Sequence, residues 1–249
     1  MYLFASEAVS AGHPDKCADI IADSIVDTLL QLDPDSKVAT EVFISGQHII
    51  IGGEVKTKVH LDAVFYEEIA KKALKKIGYP EVGFESGETF FPDKAEIHIY
   101  VSRQSPDITM GVVKADNEIG AGDQGMMFGY ASSERGDYMP TAFAYAREIR
   151  DVLYAYALNH PETFGVDLKT EVIMDYGTKE NFDNCNPQGI AKIVVAISHN
   201  KDVELKEVKN LVKKIIVENV KFEAGHFDEK NITFYINNTG RFVRHSPIA

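Results

Sequence analysis

The chain has 249 residues, 45% of them hydrophobic and 26% charged, with no tryptophan, which leaves room for one large folded domain or two ordinary ones. Its 38 acidic and 26 basic residues give a formal net charge of −12. That excess opposes binding to nucleic acid or an anionic membrane, so neither is expected as a partner, and any polyphosphate ligand must be met by local cations or metal ions.

Residues Met1–Ser10 lack the basic segment and apolar core of a secretory signal. No apolar run approaches the roughly 20 residues that cross a bilayer, and the expected compartment is the cytoplasm. The run Gly12-His13-Pro14-Asp15-Lys16 then predicts a loop opening a helix over 14–31, with the proline at the first helical position. Apolar residues follow at Ile20, Ile21, Ile25, Val26, Leu29 and Leu30, the stripe of a core-facing helix. A helix start presents unpaired N–H groups and a positive dipole end to an anion. His13 and Lys16 add donors there, and Asp15 suits a divalent cation held between carboxylate and phosphate.

A strand Val38–Ile44, the turn Ser45-Gly46-Gln47, a strand His48–Val55, a helix Asp62–Ile77 and a strand Ala95–Val101 come next. The segment from Gln104 to Gly125 has little periodicity, and a stretch of that length inside a folded protein is commonly functional. A second copy of the order follows: helix Thr141–Leu158, strand Thr170–Asp175, polar loop Gly177–Gln188, strand Ile190–Ser198, helix Leu205–Val220 and strand Asn231–Ile236. The two copies are offset by roughly 130 residues, which predicts two α+β units of ordinary domain size with antiparallel or mixed sheets. Cys17 and Cys185 are far apart and fit no metal-ligand spacing; Cys17 reads as a small buried residue. The lysines of 201–220 alternate with acids and read as a solvated face.

Five segments, Gly12–Lys16 (GHPDK), Ile51–Glu54 (IGGE), Gln104–Ile108 (QSPDI), Gly120–Gly125 (GAGDQG) and Asn238–Val243 (NTGRFV), closely resemble S-adenosylmethionine synthetase of the bacterial type, in that family's order. The resemblance covers residues 3–243 and implies an α+β fold of related hairpin, helix and strand domains with pseudo-threefold symmetry, two of the three being present. It implies an N-terminal domain over 3–102, a mobile loop over 103–120 that covers the site, and a central domain over 121–243. The reaction it implies is attack of the methionine sulfur on the 5′ carbon of ATP. Triphosphate is released and then cleaved to pyrophosphate and phosphate.

By the same resemblance, His13 lies against the triphosphate and the bridging 5′ oxygen, with Lys16, Asp167, Leu168 and Lys169 at the nucleotide. Arg241 reaches phosphate and Phe242 offers its ring near adenine. Glu54, Gln104 and Asp123 hold methionine, while Asp15 binds Mg2+ and Glu41 binds K+. The catalytic set it implies is His13, Lys169 and Asp123. A homodimer or homotetramer is implied, with the active site between subunits.

The sequence departs from the family at Asn238, where the family has proline, and in ending at Ala249, before the family's third domain. A weakly active or inactive fragment is therefore expected. A non-catalytic dimerisation or regulatory piece of the same enzyme and a Mg2+-dependent phosphohydrolase stand as alternatives.

Overall fold

A computed structural model describes residues 1–79, 89–104 and 124–244. Two sheets organise the chain, each covered on one face by helices. Strands β2 (Lys37–Ser45), β3 (His48–Lys56) and β4 (Glu96–Arg103) form the first sheet, in that spatial order. β2 and β3 are an antiparallel hairpin, and β4 runs parallel to β3. Helices α1 (Pro14–Leu32) and α2 (Ala63–Ile77) pack on its inner face. The second sheet has the order β1 (Leu3–Val9), β5 (Phe164–Asp175), β6 (Gly189–His199), β7 (Thr233–Ile236). Here β5 and β6 are antiparallel and β7 runs parallel to β6. Helices α3 (Thr141–Asn159) and α5 (Leu205–Asn219) cover it, and α4 (Lys179–Asp183) is a short turn in the β5–β6 connection.

The repeated order read from sequence is thus an α+β repeat of hairpin plus parallel third strand. Its boundaries need correction in four places. β5 begins at Phe164, six residues before the predicted start, because Gly165 and Asp167 hide an otherwise apolar run. The polar loop after β5 contains α4, capped by the Thr178 hydroxyl. The last strand starts at Thr233 instead of Asn231. The fourth is an element that periodicity did not reveal: β1, whose LFASEAV sequence has no clean alternation. It pairs antiparallel with β5 of the other unit, from Leu3↔Asp175 to Val9↔Lys169.

Helix α1 buries Cys17, Ile21, Ile25 and Leu29, one residue per turn, against the first sheet. Each fully buried Ile or Leu contributes about 1.5–3 kcal/mol. The stripe is narrower than its apolar content suggests, and Leu30 faces solvent. The helix stops at Asp33, whose buried carboxylate accepts from the Lys58 N–H and the Thr57 hydroxyl. Asp62 caps α2 by accepting from the Phe65 N–H at 2.9 Å. The two cores meet where Val166 of β5 enters the first core and Tyr154 of α3 packs against both. No described helix is long and apolar enough to cross a membrane.

Candidate active site

The first group of site residues lies where the turn after β1 rests on β5. Ser10 is fully buried and acts as a clasp: its N–H donates to the Leu168 carbonyl, its hydroxyl donates to the Val166 carbonyl at 2.7 Å, and the same hydroxyl accepts from the Leu168 N–H at 3.0 Å. Gly12 sits so close that a Cβ would lie 2.3 Å from the Val166 carbonyl oxygen. Only glycine fits there without moving backbone. From below, the buried Tyr79 hydroxyl donates to the Gly12 carbonyl. Burial, with Cys17 and Asp167 nearby, holds the Tyr79 phenol well above its ordinary pKa, so it remains a donor. Cys17 behaves as expected of a small core residue: it is 1% exposed, its thiol donates to the Ala11 carbonyl at 3.1 Å, and burial pushes its pKa up to about 12.

On this seat His13 becomes the N-cap of α1, and its Nδ1 accepts the Asp15 N–H at 3.3 Å. A neutral ring whose Nδ1 accepts must carry its proton on Nε2, which leaves His13 a donor on its outer edge. The Asp15 carboxylate is 93% exposed and lies 3.9 Å from His13 Nδ1. Lys16 pairs with Asp19 at 2.9 Å on the surface. Across the seam, Leu168 is fully buried and Asp167 nearly so, both in the sheet interior. Leu168 spends its backbone N–H and carbonyl on Ser10, while the Asp167 carbonyl accepts from the Ser198 hydroxyl. Of that stretch it is Lys169 whose head reaches the surface, where Nζ meets Glu7 at 2.6 Å. An exposed pair of this kind contributes about 0–1 kcal/mol, so a phosphate can displace the Glu7 carboxylate at little cost.

The second group occupies the open face of the first sheet. Strand alternation and register put Glu41 of β2, opposite Gly52, and Glu54 of β3, opposite Ala39, on that face. Gly53, at φ 119°, brings β3 against β2: a Cβ there would lie 2.0 Å from the Ala39 carbonyl oxygen. Gln104, just past β4, donates its side-chain amide to Glu54 Oε1 at 3.3 Å and its N–H to the Val55 carbonyl at 3.1 Å. Thus Glu54 and Gln104, 50 residues apart in sequence, are in contact. Asp123, and residues 105–120 of the loop segment, lie outside the described residues.

A third piece sits at the end of β6. The Arg241 guanidinium donates to the Lys201 carbonyl. The Phe242 N–H donates to His199 Nε2 at 3.2 Å, and the His199 N–H donates to the Phe242 carbonyl at 2.9 Å. His199 Nδ1 lies 2.9 Å from the Asn200 carbonyl, so the ring is the neutral Nδ1–H tautomer. Burial first, then the Arg241 charge, lowers its pKa.

Sequence reading missed Ser10 and Tyr79, which build the seat of the His13 turn, and Glu7, which pairs with Lys169. Ser10 and Tyr79 carry no local signal, because their partners are 156 and 67 residues away. The apolar runs Ile49–Ile51 and Ile193–Ile197, open at sequence level between a covered face and ordinary core, alternate in both strands. Ile49, Ile51, Ile193, Val195 and Ile197 are buried, while Ile50 and Ala196 are exposed.

Residues 1–106 match the model of the S-adenosylmethionine synthetase N-terminal domain, and residues 118–242 match that of the central domain of the same family. Curated relatives include an S-adenosylmethionine synthase of Cytophaga hutchinsonii, 37% identical over 99% of this chain and 59% of the relative. Another is S-adenosylmethionine synthase 2 of Rhodospirillum rubrum, 39% identical over 99% of this chain and 60% of the relative. Among solved structures, an unusual S-adenosylmethionine synthetase from Campylobacter jejuni is 45% identical, with a TM-score of 0.91 over 100% of this chain and 61% of that one. The chain therefore spans about 60% of the length of these relatives.

Proposed function

The chain belongs to the S-adenosylmethionine synthetase family, and from that premise we propose that it carries the nucleotide and methionine half-sites of a methionine adenosyltransferase. The observation that supports this best is the His13 turn locked onto β5, which sets a partly exposed imidazole donor and an exposed carboxylate at one helix start, with Lys169 next along β5 from the Leu168 that the turn grips. In this reading the triphosphate of ATP lies at the start of α1. His13 donates Nε2–H to the bridging 5′ oxygen as charge grows on it, and Lys16 and Lys169 neutralise the phosphates. Lys169 exchanges Glu7 for phosphate, with Asp167 and Leu168 holding its strand in place.

Arg241 and Phe242 flank the nucleotide. Glu54 takes the methionine ammonium, Gln104 orients the amino-acid group, and Asp123 completes that end. A thioether sulfur has no proton to lose, so no general base is needed; the work is alignment of sulfur with the 5′ carbon and stabilisation of the leaving triphosphate. A hard, exposed carboxylate at Asp15 fits Mg2+, which pairs one or two carboxylates with phosphate oxygens. Glu41 would offer one oxygen of the larger set a K+ ion requires. When bound, such cations supply charge neutralisation at the polyphosphate.

The same reading places a second copy of the chain on the open face of the first sheet, as a homodimer or a pair of dimers. Phe43 and Tyr100 stand 63% and 69% exposed there, beside Ile50. That apolar cluster borders Glu41 and Glu54, so a partner subunit would wall the methionine end of the site.

The test is incubation with ATP, Mg2+ and K+, with and without methionine, followed by analysis of nucleotide and phosphate products. Methionine-dependent formation of S-adenosylmethionine is the expected result. Lys169→Met should lower it by about a hundredfold. Phosphate release indifferent to methionine would identify a phosphohydrolase instead, and ATP binding without turnover would leave a regulatory or dimerisation piece.

A further inference from the structure

At the turn end of the first sheet's open face, three side chains that the nucleotide and methionine sites do not use converge. His48 is the first residue of β3, and parallel register places it opposite Glu96, the first residue of β4, with His98 two residues on along the same face. His48 Nδ1 lies 3.3 Å from Glu96 Oε2 and 3.5 Å from His98 Nε2. Among the described residues this is the one group of three His, Cys, Asp or Glu whose ligand atoms all fall within 4.8 Å of one another.

We propose that His48, Glu96 and His98 form a binding site for a divalent transition-metal ion of the zinc, cobalt and nickel class. Hydrogen bonding accounts poorly for the arrangement. Both contacts of His48 are made by the same Nδ1, and one proton, or one lone pair, satisfies only one of them at full strength. A cation among the three atoms satisfies all of them. The spacings also fit: metal–nitrogen bonds of about 2.0–2.1 Å in a tetrahedron put neighbouring ligand atoms about 3.3–3.4 Å apart. Two imidazoles and one carboxylate select a borderline transition metal over Mg2+, which prefers an all-oxygen shell.

The ligands are held by backbone. The Glu96 N–H donates to the Gln47 carbonyl at 2.8 Å, and the Gln47 side-chain amide reaches the Thr89 carbonyl at 3.3 Å. His48 and Glu96 are exposed and His98 partly buried, which leaves a fourth position to water. Glu54 lies six residues further along β3, about 20 Å away at the rise of an extended strand, so this site is separate from the methionine end. A bound ion would cross-link the starts of β3 and β4.

Titration of the full chain with Co2+ followed by visible ligand-field absorption, and with Zn2+ by calorimetry, tests this without any substrate. One equivalent is expected to bind, and Zn2+ is expected to raise the unfolding temperature. Glu96→Gln and His98→Gln should each weaken binding by at least about tenfold. They should abolish the thermal shift while the metal-free protein unfolds as the wild type does. His160→Gln, a surface histidine of the other unit paired with Glu162, should bind like the wild type. Absence of binding by the wild type, or equal binding by Glu96→Gln and His98→Gln, would overturn the proposal.

Discussion

The two sheets share one plan and differ in what closes them. Each is a hairpin with a parallel third strand and two covering helices, yet among the described residues only the second gains a fourth strand, and that strand comes from the start of the chain. The second sheet is thereby stitched to the turn that opens α1, while the first keeps an open face with Phe43, Ile50 and Tyr100 exposed. In the proposed reading, the phosphate end of the site rests on a seam that hydrogen bonds and a close backbone contact fix within the chain, and the methionine end lies on an open face that a second copy would cover. A single chain can preorganise the first; the second depends on what covers it.

The largest expected effect strikes the seam. Gly12→Ala forces a methyl group into the Val166 carbonyl, where neither side is a flexible side chain. Overpacking of this kind costs about 1–3 kcal/mol or more. Chemical denaturation should show that loss, and ATP binding should weaken further because the His13 turn is displaced. An unchanged stability would mean that the seam is looser than the contact implies. The corresponding control is an exposed position away from both the seam and the open face, such as Lys214→Ala on α5, whose side chain is 67% exposed.

A smaller effect is expected at the far end of the second sheet. His199 is buried neutral, with Nε2 accepting from the Phe242 N–H, and its pKa lies below the ordinary value near 6.5. Between the folded and unfolded pKa the unfolded chain holds more protons. The associated stability is therefore full above about pH 6.5 and is lost as pH falls toward the lower folded value. The protection factor of the Phe242 amide, its exchange rate corrected for the intrinsic pH dependence, should fall on acidification through that window, and His199→Gln should flatten the response. The first unit has no equivalent buried neutral histidine among its described residues.

The smallest effect distinguishes the units by one thiol each. Cys17 is buried with a pKa raised to about 12, whereas Cys185 is partly exposed, and hydrogen bonds from Ser132 and Ser133 lower its pKa. An alkylating reagent at neutral pH should modify Cys185 quickly and Cys17 only on unfolding. Mass spectrometry of the native protein should find a single adduct, and rapid modification of both would contradict the packing under the His13 turn.

Much of this was readable in advance. Proline at the helix start, apolar residues four apart in α1 and the paired hairpins are local patterns, and they specified helix, strands and repeat. Ends marked by a glycine or a capping side chain were placed well, as at Asp62 in α2. Ends without one drifted, as in β5, where Gly165 and Asp167 interrupt the pattern. Strand β1 had no chance of being found by alternation, since six of its seven residues are exposed or partly so, on both faces.

Local chemistry, then, was the sequence's own contribution: which residues could bind an anion, which could hold an amino acid, and which family pattern they follow. Tertiary structure alone decided the company those residues keep. It set Ser10 and Gly12 on Val166 and Leu168 across more than 150 residues, placed Gln104 on Glu54, and aligned His48 with Glu96 and His98. Side-chain type is fixed by covalent structure, but proximity between distant positions depends on sheet register and core packing, which no short stretch of chain encodes by itself.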